Sequence, residues 1–288
     1  MQLTLLEDSP LLLIGLTGLL GVMVGSFLNV VIYRLPVMLR YGWRVECLVF
    51  LGLPAEAAPA PVNLLWPGSH CPACQTVIKA YDNIPLLSYL LLGGRCRACG
   101  EKISLRYPLV ELLAGFSAGL LAWRFGWSPA LGFALILSWA LLALSAIDID
   151  QQLLPDSICL PVLWLGLLVN VFSVFSDCRD AIIGAIAGYL SLWIIYQLFK
   201  LLTGKEGMGY GDFKLLALCG AWLGWQVLPI IVLMASLFGT LAGIYQLSRH
   251  KLALGQPMAF GPYLAAAGWL ALVWGQELNS LYLQVTGL

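Results

Sequence analysis

Long apolar runs separated by short polar segments dominate the pattern of this chain. About 20 consecutive apolar residues span the hydrocarbon core of a bilayer as an α-helix, and most of the runs approach or exceed that length. The eight runs lie at approximately 11–33, 107–123, 129–147, 157–175, 181–202, 213–225, 227–247 and 259–275. This pattern predicts an all-α integral membrane protein with about eight transmembrane helices.

The composition supports a membrane location and excludes one class of partner. Hydrophobic residues make up 60% of the chain and charged residues only 10%, whereas a soluble domain carries about 25% charged residues. The net charge is zero, so the protein has no overall positive charge to attract nucleic acid, and nucleic acid is not expected as a partner. The first run follows Glu7 and Asp8 without a basic residue and is long, which predicts a retained helix and not a cleaved signal.

The basic residues are distributed unequally between the connecting segments. The segment from Arg34 to Arg106 holds eight of the fifteen Lys and Arg residues. With eight spans, the same side also holds Lys200, Lys205, Lys214, Arg249 and Lys251. The positive-inside rule therefore predicts that this side is cytoplasmic and that both termini lie on the opposite side of the membrane.

Three regions follow from this topology. We expect a first transmembrane helix within residues 1–36, a cytoplasmic segment at 37–104, and a seven-helix membrane domain at 105–288. The cytoplasmic segment contains an Ala/Pro-rich stretch at 53–61. Such a composition predicts a loop or linker.

A four-cysteine pattern follows this stretch. Cys71 and Cys74 form one CxxC pair, Cys96 and Cys99 form a second, and 21 residues separate the pairs. Two such pairs suit a structural Zn²⁺ site with four sulfur ligands, and the ion would stabilise a segment too small for a core of its own. Two disulfides are one alternative, which a reducing cytoplasm disfavours. Redox chemistry at one CxxC pair is another, although two pairs favour a metal.

Several carboxylates lie at the ends of apolar runs. Asp148, Asp150 and Asp156 lie between the third and fourth runs, Asp212 precedes the sixth, and Glu111 lies just inside the second. Carboxylates at such depths are costly unless they are paired or hydrated, so each is a functional candidate. Asp148 and Asp212 fall on the same side in the predicted topology and can meet. Two facing carboxylates can share a proton, one serving as base toward water and the other as acid, as in an aspartyl protease.

Glycines surround the second of these aspartates. Gly207, Gly209 and Gly211 precede Asp212 closely and allow an irregular backbone to approach other chain segments. Such backbone is tolerated at membrane depth where it lines a cavity, and Gly209 and Gly211 therefore predict an active-site loop beside an extended substrate.

Structural roles are the alternative for each acidic residue. Asp212 and Asp156 can cap the helices that follow them. Asp150 can be a solvated loop residue, and Glu111 can be a carboxylate stabilised by a helix N-terminus. The sequence leaves these alternatives open.

Several sequence blocks resemble one family. Gly209-Tyr-Gly-Asp212 is the GxGD motif shared by intramembrane aspartyl proteases. Asp148-Ile-Asp-Gln-Gln-Leu-Leu-Pro-Asp156 is similar to the first-aspartate motif of bacterial type IV prepilin peptidases. The blocks 25–36 and 104–111 and the four cysteines also resemble that family, and the resemblance spans roughly residues 11–275.

The resemblance implies an activity and its site. The family cleaves the basic leader of type IV prepilins and pseudopilins at the cytoplasmic membrane face, and many members N-methylate the new N-terminus with S-adenosylmethionine. It implies that Asp148 and Asp212 are the catalytic pair and that Cys71, Cys74, Cys96 and Cys99 bind zinc. It also implies a multi-pass protein of the bacterial inner membrane, in contact with lipid, and the topology predicted from the basic residues then places both termini in the periplasm. The oligomeric state is left open.

The sequence contains no glycine-rich methyl-donor loop after a predicted strand. Segment 37–104 is the expected place for S-adenosylmethionine by elimination alone, and no residue is assigned to it.

Three other functions compete with this interpretation. Another GxGD protease would not need the DxDxxxLPD block or the cysteine segment. A transporter could use the same acids to bind protons or cations, but no internal repeat is evident and the acids lie at predicted helix ends. A non-enzymatic scaffold would use the cysteine segment for docking and the aspartates as caps.

Overall fold

A computed structural model describes residue 7 and residues 9–53, 63–205, 207–248 and 258–286. The regular elements of these ranges are all helical, which confirms the predicted all-α fold class. A 3-10 turn covers Ala80–Asn83, and the nine α-helices are α1 Pro10–Phe50, α2 Leu87–Leu91, α3 Arg106–Phe125, α4 Pro129–Gln151, α5 Asp156–Asn170, α6 Cys178–Thr203, α7 Tyr210–Leu223, α8 Leu228–Ser248 and α9 Gly261–Thr286. The predicted loop at 54–61 and the cations Arg249 and Lys251 lie outside the described residues.

Five of these helices are long and apolar enough to cross a membrane, namely α1, α3, α4, α6 and α8. Helix α5 is apolar but has 15 residues, and α7 has 14, which corresponds to about 21 Å of helix. Helix α9 has 26 residues and a kink at Trp274. Each predicted apolar run therefore coincides with a helix, whereas the number of eight spans stays a prediction.

The chain divides into two compact units, one ending at Trp127 and the other beginning at Ser128. In the first unit α1 packs against α3 through small residues. A Cβ atom added to Gly25 would lie 2.7 Å from the Cα atom of Glu111, and one added to Gly21 would lie 2.9 Å from the Cα atom of Gly115. The two backbones are therefore in direct contact, as is common between membrane helices.

Helix α1 is longer than the sequence pattern suggests. Its 41 residues extend about 62 Å at 1.5 Å per residue, about twice the thickness of a bilayer core. The helix passes through Pro36, which is buried, so the predicted boundary between residues 36 and 37 falls within a continuous helix. The boundaries of the three predicted regions stay predictions.

Helix α7 lies at the centre of the second unit. Ten of its fourteen residues are buried, and it packs against α5, α6 and α9. Its contact with α6 is close, because a Cβ atom added to Gly188 would lie 2.7 Å from the carbonyl oxygen of Leu216. Trp222 is fully buried and donates from Nε1 to the carbonyl oxygen of Val162 in α5 at 2.8 Å. A helix this short is therefore enclosed mainly by other helices.

Candidate active site

Asp148 lies in the last turn of α4 and is only 5% exposed. The helix ends at Gln152, whose left-handed backbone (φ 50°, ψ 42°) lets its amide donate to the carbonyl oxygen of Asp148. Asp150, two residues along the same helix, is exposed. Residues two apart on an α-helix point in nearly opposite directions. The two acids of this motif therefore differ in burial, with Asp148 inside the protein and Asp150 at its surface.

Asp212 lies in the first turn of α7 and is 7% exposed. Gly209 precedes the helix with an extended backbone (φ −80°, ψ 147°). A Cβ atom added to Gly209 would lie 3.7 Å from Oδ2 of Asp212, so the carboxylate turns back toward the start of its own helix. A negative charge at this position is stabilised by the helix dipole.

Of the two glycines predicted to form an active-site loop, only Gly211 is closely packed. Neither Gly209 nor Gly211 has a positive φ, and Gly211 is part of α7. A Cβ atom added to Gly211 would lie 2.7 Å from the Cβ atom of Leu154. The irregular backbone expected here is therefore limited to the residues before Tyr210, and close approach to Leu154 accounts for Gly211.

Leu154 also connects this segment to the start of α9. A Cβ atom added to Gly261 would lie 3.2 Å from Cδ1 of Leu154, and the Gly261 amide donates to Oδ2 of Asp148 at 3.0 Å. The linker after α4 and the first turns of α7 and α9 therefore meet at one place. Asp148 and Asp212 are therefore both buried at helix ends that pack around Leu154. Two carboxyl groups so placed can divide the roles of acid and base.

Aromatic rings pack beside this place. Phe213 is fully buried, and its ring centroid lies 5.4 Å from that of Tyr210 and 5.6 Å from that of Tyr196. Tyr210 is half-exposed, so an aromatic side chain is accessible two residues before Asp212.

The remaining acidic candidates lie in other surroundings. Asp156 is exposed and pairs with Lys214 at 2.7 Å. Glu111, in the first unit, is 8% exposed and accepts a hydrogen bond from the Leu86 amide at 2.8 Å. Glu111 therefore fixes the loop before α2 to α3. Neither contact resembles a second acid–base pair.

The four predicted metal ligands converge in the first unit. The sulfur atoms of Cys71, Cys74, Cys96 and Cys99 all lie within 4.8 Å of one another, and those of Cys71 and Cys99 are 3.8 Å apart. Four thiolates about 2.3 Å from a tetrahedral zinc ion stand about 3.8 Å from each other. This cysteine cluster could therefore hold a zinc ion.

The two CxxC turns have the same backbone pattern. The Cys71 amide donates to the Thr76 carbonyl, and the Gln75 amide donates back to the Cys71 carbonyl. Cys96 and Gly100 repeat this pattern in the second turn, where the Cys96 amide donates to the carbonyl of Glu101. Each turn presents two sulfur atoms on one side, as a tetrahedral site requires.

The electrostatics of the cysteine cluster favour a cation. Hydrogen bonds from Thr76 lower the pKa of Cys74 to about 6, and the backbone amides of Cys99 and Ala98 lower the pKa of Cys96. Thiols so close together cannot all ionise cheaply without a positive ion between them. Next to Cys96, Arg97 pairs with Asp82 at 2.6 Å and holds the pKa of that carboxyl below its usual value.

The sequence pattern did not identify two residues of the acidic site. Leu154 and Gly261 touch the segments that carry Asp148 and Asp212, yet neither side chain has catalytic chemistry. A glycine followed by Pro262 at the start of an apolar run is a helix-start signal and could have directed attention there.

The fold and the two sites define a class: a helical membrane protein with two buried carboxylates at helix ends and a four-thiol centre in a separate segment. Residues 19–125 match the Bacterial Peptidase A24 N-terminal domain, and residues 135–244 match the Type IV leader peptidase family. The chain is 54% identical to a prepilin leader peptidase/N-methyltransferase of Stutzerimonas stutzeri, over 97% of this chain and 96% of the relative. The chain belongs to the type IV leader peptidase family.

Two more relatives extend this agreement. A prepilin leader peptidase/N-methyltransferase of Pseudomonas aeruginosa is 52% identical, over 98% of this chain and 97% of the relative. One of Neisseria gonorrhoeae is 49% identical, over 89% of each chain. No solved structure matches the chain.

Proposed function

We propose that this protein is an intramembrane aspartyl endopeptidase that removes the basic leader of type IV prepilins and pseudopilins, and that it N-methylates the new N-terminus. The observation that carries the peptidase proposal is that two buried carboxylates, Asp148 near the end of α4 and Asp212 at the start of α7, lie on segments that converge on Leu154. The names of relatives about half identical over nearly the whole chain support both activities.

In the proposed mechanism the two carboxyl groups share one proton. The ionised group takes a proton from a water molecule, and the oxygen of that water bonds to the scissile carbonyl carbon. The protonated group donates to the carbonyl oxygen and helps form a tetrahedral intermediate. When the C–N bond breaks, the nitrogen of the mature chain takes a proton and the carboxylate of the leader is released.

The membrane supplies the geometry of the substrate. A prepilin joins a basic tip to an apolar helix, so the helix enters the bilayer while the tip stays on the cytoplasmic side. We place the protein in the bacterial inner membrane, with segment 37–104 in the cytoplasm and both termini in the periplasm. The excess of Lys and Arg in that segment supports this orientation. A phosphatase reporter fused to the C-terminus would be active if the terminus is periplasmic and inactive if it is cytoplasmic.

The two proposed cofactors have different roles, one as a methyl donor and the other as a structural ion. S-Adenosylmethionine would supply the methyl group, and the methyltransferase part of the relatives' name supports it. Zinc would be structural and held by the cysteine cluster, whose sulfur spacing suits a tetrahedral ion. The ion would fix the two CxxC turns of a segment that has few helices of its own.

The first experiment measures both activities together. The detergent-purified protein is incubated with a prepilin, with and without S-adenosylmethionine, and the product is weighed by mass spectrometry. We expect loss of the leader in both reactions and one additional methyl group only with the donor. Cleavage without methylation would remove the transferase proposal, and an intact substrate would overturn the peptidase proposal.

The catalytic pair is tested by isosteric substitution. Asp148→Asn and Asp212→Asn should each abolish cleavage, because an amide cannot exchange the proton. Asp150→Asn is the matched control, since it makes the same change two residues away at an exposed position. Normal cleavage by either of the first two variants, or an equal loss in the control, would overturn the assignment.

The zinc site is tested by metal content. We expect about one zinc per chain by atomic emission, a loss in Cys71→Ser, and no loss in Cys47→Ser. Cys47 is exposed on α1 and lies outside the cysteine cluster. A Cys71→Ser protein that keeps its zinc would refute this ligand set.

A further inference from the structure

One oxygen of Asp148 is held by the backbone of a helix distant in sequence. The Gly261 amide donates to Oδ2 at 3.0 Å across 113 residues of chain, and this contact is buried. Gly261 is the first residue of α9, whose opening amides lack partners within the helix. The Tyr263 and Leu264 amides donate to the Phe260 carbonyl. The start of α9 therefore presents the Gly261 amide to the carboxylate.

The glycine itself is required by the closeness of this contact. A Cβ atom at position 261 would lie 2.6 Å from Oδ2 of Asp148 and 3.2 Å from Cδ1 of Leu154. The first distance is too short for any real Cβ atom, so the carboxylate or the helix would have to move. Pro262 follows and has no amide hydrogen, which leaves the carboxylate with no equivalent donor at the next residue.

Leu154 packs between the Gly261–Asp148 contact and the segment that contains Asp212. Its side chain is 8% exposed and lies against Gly261 on one side and Gly211 on the other. Gly211 directly precedes Asp212 in α7. Leu154 therefore lies between the start of α9, whose amide binds Asp148, and the start of α7, which contains Asp212.

We propose that the start of α9 is a positioning element of the peptidase site. The Gly261 amide fixes Oδ2 of Asp148 and leaves the other carboxyl oxygen to face water and substrate, while Leu154 sets the spacing to Asp212. This inference rests on the proposed peptidase function. The alternative is that Asp148 only caps α9, in which case the contact stabilises the helix and does not tune the reaction.

The test compares two glycines of α9. Gly261→Ala adds a methyl group against Asp148, whereas Gly268→Ala, two turns further along α9, adds one 2.6 Å from the sulfur of Cys219 in α7. Both variants disturb buried packing, but only the first disturbs the carboxylate. For Gly261→Ala we expect kcat for prepilin cleavage to fall about 10- to 100-fold with KM within about threefold, the size of effect produced by misplacing a reacting group by about 1 Å.

Gly268→Ala should keep kcat within about threefold of the unsubstituted protein, even where its melting temperature falls. Methylation of an already cleaved pilin serves as a second readout in every sample. A role confined to stability would lower cleavage and methylation together, whereas a positioning role lowers cleavage alone. Equal losses of kcat in the two glycine variants, or unchanged kcat in Gly261→Ala, would overturn the inference.

A second variant keeps the test decisive if Gly261→Ala does not fold. Leu154→Ala removes the spacer without touching the hydrogen bond and should lower kcat about 10-fold, while Leu153→Ala, at the neighbouring half-buried position, should not. Normal kcat in Leu154→Ala would count against the inference. If the unsubstituted protein cleaves no prepilin at all, it is the proposed function that fails, so the two failures are distinguishable.

Discussion

Asn170 is expected to be one of the most sensitive structural positions of the second unit. Its side chain is fully buried at the end of α5. Nδ2 donates to the carbonyl oxygens of Ala221 and Trp222 at 2.9 and 2.8 Å, and Oδ1 accepts from the amides of Phe175 and Ser176, both at 3.1 Å. One side chain thus joins α5, the end of α7 and the segment that leads to α6.

The cost of Asn170→Ala can be worked from these four hydrogen bonds. The two carbonyl groups lie in the last turn of α7, where they have no partner within the helix. A neutral hydrogen bond contributes about 0.5–1.5 kcal/mol net, so losing four predicts a destabilisation of about 2–6 kcal/mol. Ala221 and Trp222, which carry the two carbonyls left behind, are fully buried, and this favours the upper half of that range.

The assay is unfolding of the detergent-purified protein, followed by tryptophan fluorescence in a denaturant series. Ser138→Ala is the comparison, because Ser138 is also buried and accepts a single hydrogen bond, from Nε1 of Trp269 at 2.9 Å. On the same scale, the loss of one hydrogen bond should cost about 0.5–1.5 kcal/mol. If Asn170→Ala costs no more than Ser138→Ala, the four bonds do not act together and the reasoning is refuted.

Three more outcomes are expected. Gly184→Ala should lower the melting temperature, because the added carbon would overlap the backbone of α7, while Gly132→Ala, with nothing within 4 Å, should not; equal melting temperatures would contradict the close α6–α7 packing. Lys214→Gln should change stability by less than about 1 kcal/mol and cleavage by less than about threefold, since its ion pair is exposed; a larger loss of kcat would give the pair a role in the reaction. Asp82→Asn should hasten zinc loss to a chelator at pH 7, because it removes the partner of Arg97 beside the second CxxC turn, and the difference should shrink in high salt; equal rates at low salt would refute this support.

The predicted fold class and the cysteine cluster depended on strong local signals. Apolar runs of bilayer length have few other interpretations, and two CxxC pairs at this spacing are typical of a metal site with four sulfur ligands. The length of α1 was missed because its apolar run ends near residue 33 and Arg34, Arg40 and Arg44 follow, whereas the helix continues through Pro36 to Phe50. A proline in a helix removes one hydrogen bond but does not always end the helix.

The local sequence pattern is not sufficient to decide which of Asp148 and Asp150 lies in the buried site. Both are acids at the end of the same apolar run, and the sequence alone favoured Asp148 only through resemblance to a family. In the structure burial distinguishes them, because α4 turns Asp148 toward α9 and leaves Asp150 exposed. That difference arises from packing between helices far apart in sequence, which a run of apolar residues does not encode.

The contacts around the aspartates suggest why the site includes residues with no catalytic groups. A backbone amide and a leucine side chain carry no charge, so they can lie close to two acids without competing for the proton. A cationic side chain in their place would hold one carboxylate ionised and oppose the sharing of a proton between the pair. Gly261 and Leu154 fix the geometry while leaving the charge of the pair to Asp148 and Asp212. For the same reason such residues are invisible to a search for chemically active side chains, and they become apparent only when the packing around the acids is known.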